Sequence, residues 1–184
     1  MALCRSLRHF VLAGTLAGLP LLAVAQVADE QKLKIAFIYN FFQFVDWPGE
    51  AFSSSDQAVT VCVFGKDSFD GGLATLSKRT ARKRPIEIAY PNSLEQAKKC
   101  HLLYIDDTQN PAHSALLKAL SRHPVLTVST GGDIASGLIG VDFTRHDGRL
   151  RLSLNLDTLR NAQLRVNAKM IEVALTVYGK SGGS

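Results

Sequence analysis

Cys62 and Cys100 are the residues of this chain whose type and spacing most clearly suggest chemistry. Two thiols can form a disulfide, remain free or contribute to a metal site, and the compartment of the protein decides among these outcomes. In an oxidising compartment a disulfide is favoured, and closing a loop of this length contributes about 4 kcal/mol in the loop-entropy model. The sequence therefore predicts a Cys62–Cys100 disulfide if the protein is exported, with two free thiols as the alternative.

The first 25 residues have the features of a secretory signal peptide. Arg5 and Arg8 precede an apolar segment, residues 10–23, and an A-x-A cleavage site ends at Ala25. The apolar segment is interrupted by glycine and proline and is shorter than the roughly 20 residues of a membrane span. We therefore predict cleavage near Ala25, export to the periplasm and one domain over residues 26–184, with an uncleaved anchor as the alternative.

The charge of the exported chain is mild. Removing residues 1–25 takes away Arg5 and Arg8 from the 21 basic residues, which leaves 19 basic against 16 acidic residues, a formal charge of +3. A nucleic-acid-binding domain is usually far more basic. Neither the charge nor the export signal favours a nucleic-acid partner.

A glycine-containing loop, Ser129-Thr130-Gly131-Gly132-Asp133, follows a predicted strand. Sheets of α/β proteins bind ligands at the carboxyl ends of their strands, so Ser129, Gly131, Gly132 and Asp133 are candidate ligand-binding residues. The preference of Gly and Asp for turns explains the same pattern equally well. A ligand site and a simple turn both remain open.

The other polar groups favour structural roles over catalysis. Asp106 and Asp107 follow a strand, where a turn or a helix cap explains them. Gly65-Lys66-Asp67 lacks the other glycines of a phosphate-binding loop, and no nucleophile motif is present. The histidines outside the signal segment are not paired at metal-ligand spacing: His101, His113, His123 and His146. No catalytic residue, metal site or cofactor is predicted.

The densest run of charge is basic. Five cations lie close together without an intervening acid: Lys78, Arg79, Arg82, Lys83 and Arg84. Such a run is most often a solvated loop, and the alternatives are contact with an acidic partner or with lipid headgroups.

Short β-rich segments alternate with helix-compatible ones along the chain. The predicted strands are residues 59–64, 86–90, 102–105 and 125–129, and the helices between them are residues 67–78, 93–99 and 112–121. This alternation predicts an α/β fold with a mostly parallel central sheet flanked by helices. A C-terminal β-hairpin, residues 138–143 and 149–156, is predicted around Asp147-Gly148.

Two helices with wide apolar faces are predicted at the ends of the domain. Phe37, Phe41 and Phe44 recur at helical spacing within residues 29–47, before Pro48. Residues 167–178 form a long terminal helix in this interpretation, with Asn167 as its N-cap and with apolar residues, Ile171, Leu175 and Tyr178, on one face. Each face either covers the sheet or contacts another chain, and these six residues are the candidate partner-binding residues.

The ordered set of segments resembles a known family, the YfiR-type periplasmic regulators. The segments that carry the resemblance are Phe44-Val45-Asp46-Trp47-Pro48, Val61-Cys62-Val63-Phe64-Gly65, Cys100-His101-Leu102-Leu103-Tyr104-Ile105 and Leu126-Thr127-Val128-Ser129. Further similarity lies at Gly137-Leu138-Ile139, Asn155 and Ala162-Gln163-Leu164. The chain departs from the family in having Ser136-Gly137 in place of paired glycines, and in lacking the second cysteine pair of some relatives.

The resemblance implies a non-enzymatic inhibitor that binds the periplasmic domain of an inner-membrane diguanylate cyclase. Such an inhibitor lowers cyclic-di-GMP output and, through it, biofilm formation. The resemblance also implies dimerisation and an outer-membrane lipoprotein that sequesters the regulator. The alternatives are a periplasmic small-ligand-binding module that uses Ser129 to Asp133, and a hydrolase without a recognisable motif.

Overall fold

The secondary structure follows the predicted alternation of strands and helices. The computed structural model describes residues 20–179, with side chains from residue 28, so residues 1–19 of the predicted signal segment lie outside the described residues. The helices are α1 (Pro20–Phe44), α2 (Leu94–Ala97), α3 (Pro111–Leu120), α4 (Leu156–Asn161) and α5 (Ala168–Glu172). The strands are β1 (Val45–Asp46), β2 (Val59–Phe64), β3 (Thr80–Ala81), β4 (Arg84–Ala89), β5 (Leu102–Ile105), β6 (Leu126–Thr130), β7 (Val141–His146), β8 (Arg149–Asn155), β9 (Arg165–Val166) and β10 (Thr176–Tyr178).

Eight of these strands form one sheet, in the order β10-β8-β7-β6-β5-β2-β4-β3. Strand β2 pairs in parallel with both β4 and β5, and the parallel arrangement continues through β6 to β7. The β7–β8 hairpin is antiparallel, whereas β10 returns parallel to β8. The prediction of an α/β fold with a mostly parallel sheet is therefore confirmed. A separate two-stranded ribbon joins β1 to β9.

Helices cover both faces of the sheet. On one face, α1 and the 3₁₀ helix Gly72–Lys78 pack over a large core that includes Val61, Tyr104 and Val128. On the other face, α2 and α3 enclose a smaller core around Leu103. Within residues 20–179, no helix is long and apolar enough to cross a membrane.

Helix α1 ends earlier than predicted. The apolar pattern predicted helix through Trp47, but α1 ends at Phe44 and Val45–Asp46 forms a strand. The reason is a pairing that is distant in sequence, because Val45 lies opposite Val166 in the β1–β9 ribbon. The side chains of Ile38, Phe41 and Phe42 lie on α1 and are buried against the sheet, so most of the apolar face of the helix covers the sheet.

The predicted long terminal helix, residues 167–178, is wrong. Asn167 does cap a helix, and its side chain accepts a hydrogen bond from the Met170 N–H at 3.1 Å, but α5 contains only five residues. The chain then extends, and the Leu175 N–H donates to the Leu152 carbonyl at 2.7 Å as β10 joins the edge of β8. Without β10 that edge of β8 would expose unpaired backbone groups, and the β-branched and aromatic residues of β10 favour a strand.

The turn between β7 and β8 and the helix predicted over residues 67–78 can also be compared with the structure. The predicted hairpin turn is confirmed, since Asp147 (φ 50°) and Gly148 (φ 70°) connect β7 to β8 in left-handed conformations. The predicted helix over residues 67–78 is only partly correct. Its first residues form turns in which Asp67 accepts the Phe69 N–H at 2.8 Å, and a 3₁₀ helix begins at Gly72.

Candidate functional site

An apolar groove lies between α1 and the C-terminal segment and has a volume of about 580 Å³. Three aromatic rings meet at its base, where the Phe143 ring centroid is 5.9 Å from that of Phe37 and 6.0 Å from that of Phe41. Clefts of this volume are typical of ligand and side-chain binding sites. The lining residues are Phe37, Asn40, Phe41, Phe44, Leu150, Arg151, Leu152, Lys169, Met170, Glu172 and Val173.

An exposed apolar strip, defined as Val173, Leu175 and Val177, continues from this groove. Their exposed fractions are 63%, 43% and 37%, although large apolar side chains elsewhere are mostly buried. Val173 itself lines the groove, and the register places Val177 beside Leu154, on the face of the sheet that α1 covers. The groove and the strip therefore form one continuous apolar surface at the edge of the molecule.

The six predicted partner-binding residues separate into buried and accessible ones. Phe41 is only 1% exposed and belongs to the core. Phe37, Phe44 and Ile171 are half-buried, and the two phenylalanines line the groove. The remaining two, Leu175 and Tyr178, are exposed, but they do not share a helix face with Ile171.

Val173 and Val177 were missed in the sequence analysis. A helix over residues 167–178 would place both valines away from the face of Ile171 and Leu175. Strand β10 instead alternates its side chains, so Val177 lies on the same face as Leu175, whereas Tyr178 lies on the other face. The β-branched residues Thr176 and Val177 favour a strand, and this preference was the only local pattern that pointed to β10.

The predicted ligand loop is held by internal hydrogen bonds. Ser129 is fully buried and its hydroxyl donates to the Asp142 carboxylate, which also accepts the Gly132 N–H at 2.9 Å. A Cβ on Gly132 would lie 2.5 Å from the Ser129 hydroxyl oxygen, so this approach requires glycine. Asp133 accepts the Ala135 N–H at 3.1 Å, while Gly131 is exposed. Ligand binding by this loop stays a prediction.

Asp142 was not singled out in the sequence, because it lies within a predicted strand. Its side chain is fully buried between β6 and β8, and burial raises the pKa of its carboxyl. One of its oxygens has no hydrogen-bond partner among the described residues. Asp142 therefore anchors the loop after β6 from the interior of the sheet.

The carboxyl ends of the central strands carry a second polar cluster. From β2 the chain continues to β4 on one side of the sheet, and it then returns to β5 on the other side. At such a reversal between neighbouring strands, α/β sheets often bind ligands. Here the Tyr104 hydroxyl hydrogen-bonds to the Asp106 carboxylate and lies 2.8 Å from the Thr130 hydroxyl oxygen, and burial raises the pKa of Tyr104. Asp107 accepts the Asn110 N–H at 3.2 Å ahead of α3. Asp107 thus stabilises the turn before α3, as predicted, whereas the Asp106 side chain bonds to the Tyr104 hydroxyl and not to a turn or a helix terminus.

His101 fixes the loop before β2 to the start of β5. Its Nδ1 accepts the Thr60 N–H at 3.0 Å, so its Nε2 carries the proton and donates to the Ala51 carbonyl at 3.1 Å. Burial lowers the pKa of His101, and the charge of Arg84 lowers it further. Within residues 20–179, no group of three or more metal-ligating side chains comes together.

We expect the stabilisation by His101 to decline in acid. Its folded pKa lies below the unfolded value of about 6.5, so the unfolded chain binds the proton more readily. The contribution is therefore complete above about pH 6.5 and is lost as the pH falls through this value towards the folded pKa. Denaturant unfolding should show His101→Gln to be about 1–3 kcal/mol less stable at neutral pH, with a smaller deficit at pH 5.

The exposed His146 provides the control for the loss at neutral pH. Its side chain is 55% exposed, so His146→Gln should change the free energy of unfolding there by about 0.5 kcal/mol or less. A deficit for His101→Gln that stays constant between pH 7 and pH 5 would contradict the assigned protonation state.

Cys62 and Cys100 form the predicted disulfide. Their Cα atoms are 5.9 Å apart, and both side chains are buried on the face covered by α2 and α3. The bond joins β2 to Cys100, which lies two residues before the start of β5, next to His101. The cysteine pair thus lies across the sheet from the apolar groove.

Comparison with protein families agrees with the resemblance seen in the sequence. A family model described as YfiR/HmsC-like matches residues 31–175. The matched region begins within α1 and extends to Leu175, so it includes the disulfide, strands β1 to β9 and every lining residue of the groove, but not β10.

Proposed function

The chain belongs to the YfiR/HmsC-like family, and from this premise we propose that it is an exported, non-enzymatic regulator of cyclic-di-GMP signalling. It binds the periplasmic domain of an inner-membrane diguanylate cyclase and lowers the output of that enzyme. The predicted signal peptide supports the periplasmic location, since residues 1–25 would direct the chain across the inner membrane.

The observation that carries this proposal is the apolar surface formed by the groove and the exposed strip. Exposed apolar residues that occur singly are common, but a continuous patch beside a cleft is typical of a binding surface. Phe37, Phe44 and Val173 provide a recess for an apolar side chain of the partner. Leu175 and Val177 extend the contact along the edge of the sheet.

The polar groups support a binding role over catalysis. His101, Asp106 and Asp142 each accept or donate hydrogen bonds that hold loops or strands in place. A general acid or base must instead reach a substrate. His101 and Asp142 are buried and Asp106 is half-buried, so their side chains are placed to hold structure and not to contact a substrate at the surface.

Deleting this chain should raise cellular cyclic-di-GMP in a way that depends on one membrane cyclase. On the purified protein, Leu175→Glu should weaken binding of the periplasmic domain of that cyclase about 30-fold or more, because the few residues at the centre of an interface each contribute about 2 kcal/mol or more. The folded protein should tolerate the change, since Leu175 is 43% exposed. Titration calorimetry measures the affinity, and thermal melts verify the fold.

Leu33→Glu is the matched control. Leu33 is 45% exposed, as Leu175 is, but it does not line the groove. Binding should change less than threefold in this variant. Equal losses of affinity in Leu175→Glu and Leu33→Glu would contradict the proposed surface. Unchanged cyclic-di-GMP levels after deletion, across several growth conditions, would contradict the proposed regulation.

Two other occupants of the same surface are part of the proposal. A second copy would bury the strip in a homodimer, and light scattering with Leu175→Glu would then show dissociation to monomers.

The family resemblance also supports sequestration by an outer-membrane lipoprotein. If the lipoprotein uses this surface, it should compete with the cyclase domain for one molecule of the regulator.

A further inference from the structure

A second groove lies on the other side of α1, between this helix and the 3₁₀ helix Gly72–Lys78. Its volume is about 820 Å³, and none of its lining residues belongs to the groove described above. Apolar side chains cover much of it, including Ile35, Ala36 and Leu76. The proposed regulatory function makes no use of this groove.

Cations surround this second groove. Lys32, Lys78 and Arg79 line it together with one carboxylate, Asp70. Lys32 has a neighbouring acid, Asp29, at 3.4 Å, but Lys78 and Arg79 form no salt bridge among the described residues. The rim is therefore positively charged beside an apolar interior.

The basic run noted in the sequence is divided between two roles. Arg82 pairs with Asp46 at 2.7 Å, and Arg84 donates to the carbonyls of Ser54 and Gln57 at 2.9 and 3.0 Å. These two arginines hold neighbouring segments in place. The other three cations of the run are exposed and have no carboxylate partner among the described residues: Lys78, Arg79 and Lys83.

The turn that presents Lys83 has an unusual composition. Arg82 (φ 48°) and Lys83 (φ 67°) connect β3 to β4 in left-handed conformations, which normally favour glycine or asparagine. The β7–β8 turn uses Asp147-Gly148 at the corresponding positions. Lys83 lies at the tip of this hairpin. The first strand of the hairpin contacts the second groove, because the hydroxyl of Tyr39, a lining residue, donates to the Thr80 carbonyl at 3.2 Å.

We infer that Lys78, Arg79 and Lys83, together with the second groove, bind a membrane surface rich in anionic phospholipid. Phosphate groups match the three cations, which have no carboxylate partner among the described residues, although the Arg79 guanidinium also lies over the Tyr39 ring, 5.1 Å from its centroid. The apolar groove accommodates part of an acyl chain. Stable membrane attachment commonly combines such a basic cluster with an apolar contact. An acidic protein would match the cations but would leave the apolar interior of the groove exposed.

This inference is independent of the identity of the protein partner. If the partner is a membrane cyclase, attachment to the bilayer would concentrate the regulator where the periplasmic domain of the cyclase lies. The purified protein and vesicles alone test the lipid site, so its failure is distinguishable from a failure of the proposed regulation.

Vesicle cosedimentation provides the test. The protein should bind vesicles of phosphatidylglycerol and phosphatidylcholine, and should not bind phosphatidylcholine alone. The double variant Lys78→Gln, Lys83→Gln should bind about 30-fold more weakly, because one basic residue near an anionic surface contributes roughly a factor of five. High salt should weaken the binding of the unmodified protein through screening.

The matched control removes the same charge from the opposite face. Lys118 lies in α3 and Arg122 follows it, and both side chains are exposed. The double variant Lys118→Gln, Arg122→Gln should lose less than threefold in vesicle affinity. Equal losses in both double variants would show attraction by net charge alone, and no binding by the unmodified protein would likewise overturn the inference.

A fluorescent label tests the apolar contact separately. Ala36→Cys places a thiol on the exposed side of the second groove, whereas Ala112→Cys places one in α3. An environment-sensitive dye at position 36 should shift to shorter wavelength when anionic vesicles are added, and a dye at position 112 should not. Binding without the shift at position 36 would contradict acyl-chain contact at the groove.

Discussion

Replacing either Cys62 or Cys100 by serine should lower the free energy of unfolding by about 2–5 kcal/mol and reduce the amount of protein in the cell. The disulfide closes a loop with a sequence separation of 38, for which the loop-entropy model gives about 4 kcal/mol. This is a large part of the 5–15 kcal/mol that stabilises a typical domain. Urea unfolding of the single and double variants measures the loss.

The double variant should be no less stable than either single variant, because one bond is lost in each case. Reductant provides a further control, since it should destabilise the unmodified protein and have no additional effect on Cys62→Ser. Additive losses in the double variant would show that the two side chains stabilise the fold through packing and not through their bond.

A redox switch is the competing interpretation of the same bond. In that case the reduced protein would stay folded but would no longer restrain its partner, so that reducing conditions would activate the cyclase. Thermal melts and partner binding, each with and without reductant, separate the two. An unchanged melting temperature with lost binding would contradict structural bracing, whereas a much lower melting temperature would support it.

Phe41→Ala should destabilise the protein by about 3–5 kcal/mol, which is the usual cost of truncating a buried phenylalanine. Phe41 is 1% exposed, and its ring centroid is 6.0 Å from that of Phe143 and 6.5 Å from that of Phe37. Truncation would leave a cavity beneath α1 and would remove both aromatic contacts. Urea unfolding measures the change.

Leu175→Ser is the control for this prediction. Leu175 is exposed, so this change should alter stability by about 0.5 kcal/mol or less. A Phe41→Ala protein that kept its stability but no longer bound the cyclase domain would contradict the assignment of Phe41 to the core. It would restore the sequence-based prediction that Phe41 contacts the partner directly.

Local patterns in the sequence were sufficient for most of the sheet. The strand Leu102–Ile105 has the predicted bounds, and the turn at Asp147-Gly148 lies where the dipeptide indicates. These features could be predicted because turn preference and β-propensity act over a few neighbouring residues. The pairing of Cys62 with Cys100 followed from their number and the predicted export signal, without any knowledge of their distance.

The C-terminal segment shows where local patterns were insufficient. Residues 167–178 have apolar residues at helical spacing, yet only Ala168–Glu172 is helical. The decisive interaction is with β8, whose free edge pairs with Thr176–Tyr178. No local signal in the sequence reveals which strand edge will be left unpaired, so the sequence alone favoured the wrong secondary structure here.

The sequence by itself determined the class of fold and the disulfide partners, and it predicts the export signal, because each depends on short patterns or on counts of residues. Only the tertiary structure decided that Phe41 is buried while Val173 is exposed, and that α1 has a groove on each side. Grooves and exposed strips arise where elements distant in sequence fail to cover one another. Their positions depend on how far each neighbouring element reaches, which is a property of the packed molecule and not of any single segment.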